Sequence, residues 1–241
     1  MAYDFNTPQT SSTNERLPFY TVWIRAVTQP KPETFQDLAN RPDATLGRAF
    51  LWIFLVSMVV YIISFLVNIL VSSLMGTASV YQQFASGSSS GIGAILLPLI
   101  CGAPISGLLA IAGAAISSGL VQLISKMLGG TGTFTKQLYA TACYSVPVSL
   151  VIGLLGFIPL LGYCIVFLVG IYAIVLLAMA IKGVQGFGWG QAIGTIAILW
   201  AGIAVLLGCC AVIVIAGLSA LAPAFRNIFQ NIQDQIHLLT V

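Results

Sequence analysis

An all-α integral membrane protein, with five transmembrane helices preceded by interfacial N-terminal helices, is the fold this sequence predicts. Three observations carry that reading. Of 241 residues, 59% are hydrophobic and only 6% are charged. Soluble domains carry about 25% charged residues, so lipid must cover what charge does not. Between residues 49 and 225 the sole charged side chains are Lys126, Lys136 and Lys182. The uncharged stretches they separate are long enough to cross roughly 30 Å of hydrocarbon.

The elements follow in chain order. Residues 1–16 are rich in Thr, Ser, Asn and Gln and read as a disordered polar tail. They hold Asp4 and Glu15 and lead into no apolar run, so they do not read as a cleavable leader. Residues 17–48 form the interfacial segment. Phe19, Trp23 and Val27 share one helical face. Pro30 and Pro32 break that helix, and Phe35, Leu38 and Ala39 make a second, shorter apolar face. Pro42 and Asp43 read as the first turn of the next helix.

The five-span membrane domain occupies 49–218, with spans over 49–75, 105–125, 137–158, 161–181 and 192–218. A polar loop covers 76–91. Pro98 and Pro104 interrupt the approach to the second span, so 92–104 is an interfacial, re-entrant or kinked lead-in. Spans three and four form a hairpin around Pro159-Leu160-Leu161-Gly162. Residues 219–241 are an amphipathic tail, expected on the membrane surface, with Phe225, Ile228, Phe229, Ile232 and Ile236 along one face; the alternative is a loosely ordered tail or a helical extension of the last span.

Basic residues set the orientation. Arg16, Arg25, Lys31, Arg41 and Arg48 precede the first span; Lys126 and Lys136 flank the second loop, and Lys182 stands in the fourth. The first and third loops hold none. Five spans thus put eight of the nine Lys and Arg residues on the N-terminal side, with Arg226 opposite. The N-terminus is expected in the cytosol and the C-terminus outside.

The motifs point away from chemistry. Gly129-Gly130-Thr131-Gly132-Thr133 lacks the Gly-Lys-Ser/Thr ending of a phosphate loop and reads as a turn, with Thr131 or Thr133 capping the next helix. The glycines of 183–190 likewise form a turn, with Phe187 and Trp189 at headgroup level. Cys101, Cys143, Cys164, Cys209 and Cys210 form no CxxC pair and read as small buried hydrophobes. His237, near Asp234, has no neighbouring ligand set. No Asp, Glu, Lys, Arg or His lies inside a span, which removes the usual residues of coupled transport and intramembrane proteolysis. Tyr139 and Tyr144 read as braces at the interface. No catalytic residue, cofactor or metal is expected.

The small residues Ala110, Ala114 and Ser118, and Gly190 with Gly194, mark helix–helix contacts, within the chain first and in a homo-oligomer second. The charge distribution is not that of a nucleic-acid binder. The expected partners are the bilayer and a cytosolic protein recognised through 17–48. The competing function is a small-molecule or ion permease with a neutral path through Asn68, Gln122, Thr141 and Ser145. An enzyme ranks third, for only Glu33, Asp37 and Asp43 on the flank could serve it.

Several stretches together resemble the Yip (Ypt-interacting protein) membrane family. They are Thr133-Phe134-Thr135-Lys136-Gln137-Leu138, then Tyr139-Ala140-Thr141-Ala142-Cys143-Tyr144-Ser145-Val146-Pro147, and the Ile158-Pro159-Leu160-Leu161-Gly162 turn. Ile171-Tyr172, Val184-Gln185-Gly186-Phe187-Gly188 and Gln191-Ala192 fit as well. Upstream, Trp23, Ala26, Pro30, Thr34-Phe35 and Leu38-Ala39 resemble the cytosolic lead-in of bacterial members. The resemblance covers roughly 20–218 and implies five spans with a cytosolic N-terminus. In eukaryotic relatives it implies binding of Rab-type GTPases and a role in vesicle trafficking. Those relatives carry an Asp-Leu-Tyr-Gly-Pro motif that this chain lacks, so the resemblance implies a bacterial-type member, non-enzymatic, in a prokaryotic plasma membrane.

Overall fold

The computed structural model describes residues 17–75, 93–155 and 161–239, the side chains of 74–75, 93–95, 161 and 220–239 excepted. The polar tail, the 76–91 loop and the turn at 156–160 lie outside the described residues, as do the side chains of His237 and the C-terminal apolar face. Among the described residues there are seven helices and no strand. The helices are α1 (Phe19–Thr28), α2 (Pro32–Asn40), α3 (Leu46–Met75), α4 (Gly93–Met127), α5 (Phe134–Leu155), α6 (Leu161–Gln185) and α7 (Trp189–Leu239). The last five are long and apolar enough to cross a membrane, so the chain is an all-α multi-pass membrane protein.

Two compact units divide the chain, 1–195 and 196–241. In the first, α5 is the central helix and packs against α1, α2, α3, α4 and α6. Of its most apolar stretch 44% is buried, against 22% for α3 and for α6 and 11% for α4. Leu138, Tyr139, Ala142 and Cys143 of α5 meet Trp52 and Ile53 of α3, Leu176 of α6, and Phe35 and Leu38 of α2 in one apolar core. Tyr139 lies 5.5 Å from Trp52, and Tyr144 meets Phe35 edge-on at 6.1 Å. The second unit is the remainder of α7, exposed at every position from 204 to 219 and apolar throughout 204–218. A helix apolar all round is suited to lipid.

Three local features differ from the sequence reading. The second span is one unbroken helix from Gly93, with Pro98 and Pro104 inside it. Neighbouring groups tolerate such prolines in a bilayer. Here the Tyr61 hydroxyl on α3 donates to the Pro98 carbonyl at 3.3 Å, and Gly102 lets the Tyr61 ring approach. The helix that carries the last span does not stop at 218: α7 continues without interruption to Leu239. Of the cysteines only Cys143 is buried; Cys101, Cys164, Cys209 and Cys210 are exposed on helices whose outer surface is lipid-facing. They remain apolar residues, solvated by lipid rather than by protein.

Small residues position α4 against α3. Ala103, Gly107, Ala110, Ala114 and Ser118 recur at three- and four-residue steps along one side, fully or partly buried. A Cβ at Gly107 would collide with the Phe54 ring. The Ala110–Ala114–Ser118 face is therefore a contact within the chain. Gly190 has open space around it, and Gly194 only just reaches Leu128.

Candidate functional site

At one end of the first unit three chain segments converge: the α4–α5 turn, the α6–α7 turn and the α1–α2 pair. Glutamine amides hold the first two together. Gln185 Nε2, at the end of α6, donates to Gln122 Oε1 of α4 at 2.7 Å and to Gln137 Oε1 of α5 at 3.1 Å. Gln185 Oε1 accepts from the Gly132 N–H at 3.1 Å, and Gln122 Nε2 donates to the Gly132 carbonyl at 2.7 Å. The Thr131 N–H and hydroxyl both donate to the Gln185 carbonyl. Gln137 and Gln185 are essentially fully buried, and buried amides cost least when each finds partners. Gln137 Nε2 and the Ser125 hydroxyl are buried without a partner.

Glycine makes this clamp feasible. Gly129 and Gly186 adopt φ of 92° and 71°, left-handed values that disfavour a side chain. Gly132 sits so close to Gln185 Oε1 that a Cβ would meet it at 2.9 Å. Across the α6–α7 turn, Gln191 Nε2 donates to the Leu128 carbonyl at 2.8 Å. Lys182 Nζ lies 4.1 Å from the centre of the Trp189 ring, a cation–π contact.

The α1–α2 pair is docked on this end. Gly183 of α6 meets the Pro32 carbonyl and the Gln36 backbone nitrogen so closely that no side chain fits there. Lys136 Nζ donates to Asn40 Oδ1 at 2.6 Å, and the Tyr172 hydroxyl to the Val27 carbonyl at 2.5 Å. Arg25 and Asp37 pair at 2.9 Å across the two helices. Where the segment leads into α3, Arg48 pairs with Asp43, donates to the Leu17 carbonyl at 2.6 Å, and stacks on Trp52. Asp43 thus receives Arg41 and Arg48 before α3 begins.

The pair has two kinds of exterior. On α2, Glu33, Gln36, Asp37 and Asn40 are exposed at i, i+3, i+4 and i+7, a polar face, while Thr34, Phe35, Leu38 and Ala39 are buried. On α1, Phe19, Tyr20 and Ile24 are each more than half exposed, an apolar face, while Val22 and Ala26 are buried. A polar cavity of about 180 Å³ separates α2 from the turns, lined by Gln36, Asn40, Thr131, Thr133 and Lys136. It offers binding groups but no acid–base pair. Among the described residues no three His, Cys, Asp or Glu side chains come together.

The residues that would line a permeation path are not brought together. Asn68 is exposed on α3, and Gln122 belongs to the amide clamp. Ser145 lines a cleft of about 180 Å³ with Ser57, Ala110 and Ala114. Glu33, Asp37 and Asp43 are on the docked segment, Asp37 and Asp43 in ion pairs and Glu33 on the outer face. Sequence reasoning missed Gln137, Gln185 and Gly183. The available signal was an amide side chain beside each glycine turn on the same basic side of the topology.

A family model described as the Yip1 domain matches residues 24–211. No curated protein and no solved structure matches the chain.

Proposed function

The chain belongs to the Yip1 domain family, and from that premise we propose a non-enzymatic membrane protein that works through protein interaction or membrane organisation, including trafficking. The reading places it in a prokaryotic plasma membrane with the N-terminus in the cytosol and the C-terminus outside. The distribution of basic residues supports that orientation, since Arg25, Lys31, Arg41, Arg48, Lys126, Lys136 and Lys182 all belong to the α1–α2 segment or the turns beneath it.

The observation that carries the reading is the two-faced cap. The apolar exterior of α1 suits the headgroup boundary, as in other interfacial helices. The polar exterior of α2 suits water. Docking through Gly183, Lys136 and Tyr172 holds both at a set depth, so the α2 face is a pre-formed surface for a cytosolic partner. Pre-formed surfaces bind with less ordering cost than free tails.

Reconstitution tests the non-conducting part of this reading. Liposomes holding only the purified protein are expected to show no substrate-dependent flux across a panel of ions, sugars and amino acids. Saturable flux of any one of them would replace the reading with a permease.

A further inference from the structure

Between α1 and the bundle lies a second cavity of about 350 Å³, lined by Tyr20, Trp23, Ile24 and Val27 of α1 and by residues of α5 and α6, among them Val148 and Val169. We infer that this cavity is a binding site for one hydrocarbon chain of a membrane lipid. The inference rests on α1 lying at the headgroup boundary, as proposed above, and adds to it a specific occupant beneath the helix.

The lining decides the chemistry. It contains no charged residue, and the hydroxyls of Tyr172 and Thr28 are already committed. The Tyr172 hydroxyl donates to the Val27 carbonyl and the Thr28 hydroxyl to the Ile24 carbonyl. Trp23 Nε1 is buried without a hydrogen-bond partner. Water needs two to four polar partners to settle in a cavity, and these walls leave almost none. A headgroup or ion would have to give up its hydration without compensation. An empty space of this size would forfeit dispersion contacts along its whole lining, and packed interiors keep few voids larger than a water molecule.

The surroundings decide the source. Tyr20, Ile24 and Val151 line the cavity and are also 55%, 58% and 41% exposed, so its mouth opens onto the apolar outer surface. That surface faces lipid, and the nearest material able to fill the cavity is an acyl chain. The roof is anchored at Val27 by Tyr172 and at Arg25 by Asp37, which leaves the chain entering past Ile24 and Val151.

The test is photolabelling of the full-length protein in nanodiscs with two phosphatidylcholines, one carrying a diazirine in mid-chain and one in the headgroup. Labelled positions are mapped by peptide mass spectrometry. The mid-chain probe is expected to label Val148 and Val169, whereas the headgroup probe is not. Filling the cavity with Val151→Trp or Ile24→Trp is expected to lower labelling at Val148 and Val169 roughly tenfold, because the indole occupies the space of the chain. Labelling of Leu108 and Leu109, which are exposed on α4, is expected to stay unchanged and reports that each variant is folded.

Wild-type labels confined to outward residues such as Leu108 and Leu109 would overturn the inference without any variant. If Phe19, Tyr20 and Ile24 are labelled while Val148 and Val169 are not, the interfacial placement of α1 stands and the chain site falls. If Val148 and Val169 are labelled while Phe19 is not, the site stands and the depth assigned to α1 falls.

Discussion

Gln185 Nε2 donates to Gln122 Oε1 at 2.7 Å across 63 residues of sequence, and this amide pair ties the end of α6 to the end of α4. Two covalently remote turns thereby become one rigid platform on which α2 can dock.

Replacing Gln185 with Leu removes both sides of the clamp. The Gly132 N–H, Gln122 and Gln137 all lose a buried partner. Loss of buried partners of this kind costs about 1–3 kcal/mol each, reduced where groups find new ones. The expected outcome is a clear drop in the thermal unfolding midpoint in detergent. Gln191→Leu, which breaks two exposed bonds, one to the Leu128 carbonyl and one from the Gly188 N–H, is expected to lower it much less.

Gly183→Leu is expected to release α2 while leaving the spans inserted, because its side chain would occupy the place of the Pro32 carbonyl. Limited proteolysis reads this directly. Cleavage within residues 28–45 should become rapid in the variant and stay slow in the wild type.

Two glycines of α4 are expected to behave oppositely. A Cβ at Gly107 would meet the Phe54 ring at 2.6 Å, whereas Gly113 has nothing within 4 Å. Gly107→Ala should destabilise by roughly 1–3 kcal/mol through overpacking. Gly113→Ala should be neutral or slightly stabilising, since alanine is favoured over glycine in a helix by about 1 kcal/mol. Chemical or thermal unfolding in the same micelle compares them.

Arg48 holds three groups at once: the Asp43 carboxylate, the Leu17 carbonyl and the Trp52 ring. Asp43 is nearly buried, with 6% of its side chain exposed. Arg41 keeps its pairing with Asp43, so Arg48→Met is expected to cost about 1–3 kcal/mol, below the roughly 3–5 kcal/mol of an orphaned buried charge. Arg48→Lys should recover little, because an ammonium cannot serve the carboxylate and the carbonyl in the same fork geometry. Unfolding midpoints of the two variants test this.

The five spans and the basic side of the topology were legible in the sequence because both are matters of composition. Lys126, Lys136 and Lys182 are the sole charges over the whole span region, and any correct helix count must place them. The amide clamp was not legible: Gln185 stands in a glycine-rich turn and Gln137 opens a helix 48 residues earlier, so only the tertiary fold shows that they meet. Pro98 and Pro104 led to too short a second span, because in water they would end a helix, whereas here Tyr61 and close packing against α3 accommodate them. Phe35 and Leu38 read correctly as an apolar face. That this face packs on α5 rather than on lipid depends on Gly183, whose missing side chain carries no periodic signal.

Site-specific photocrosslinking from Glu33, on the exposed face of α2, in native membranes tests the central claim most directly. The expected result is a protein adduct of discrete mass from Glu33, absent when the same crosslinker replaces Leu108 on lipid-facing α4, and lost in the Gly183→Leu background. Identical adducts from both positions, or an adduct from Glu33 that persists after α2 is released, would contradict a docked cap acting as a pre-formed interaction surface.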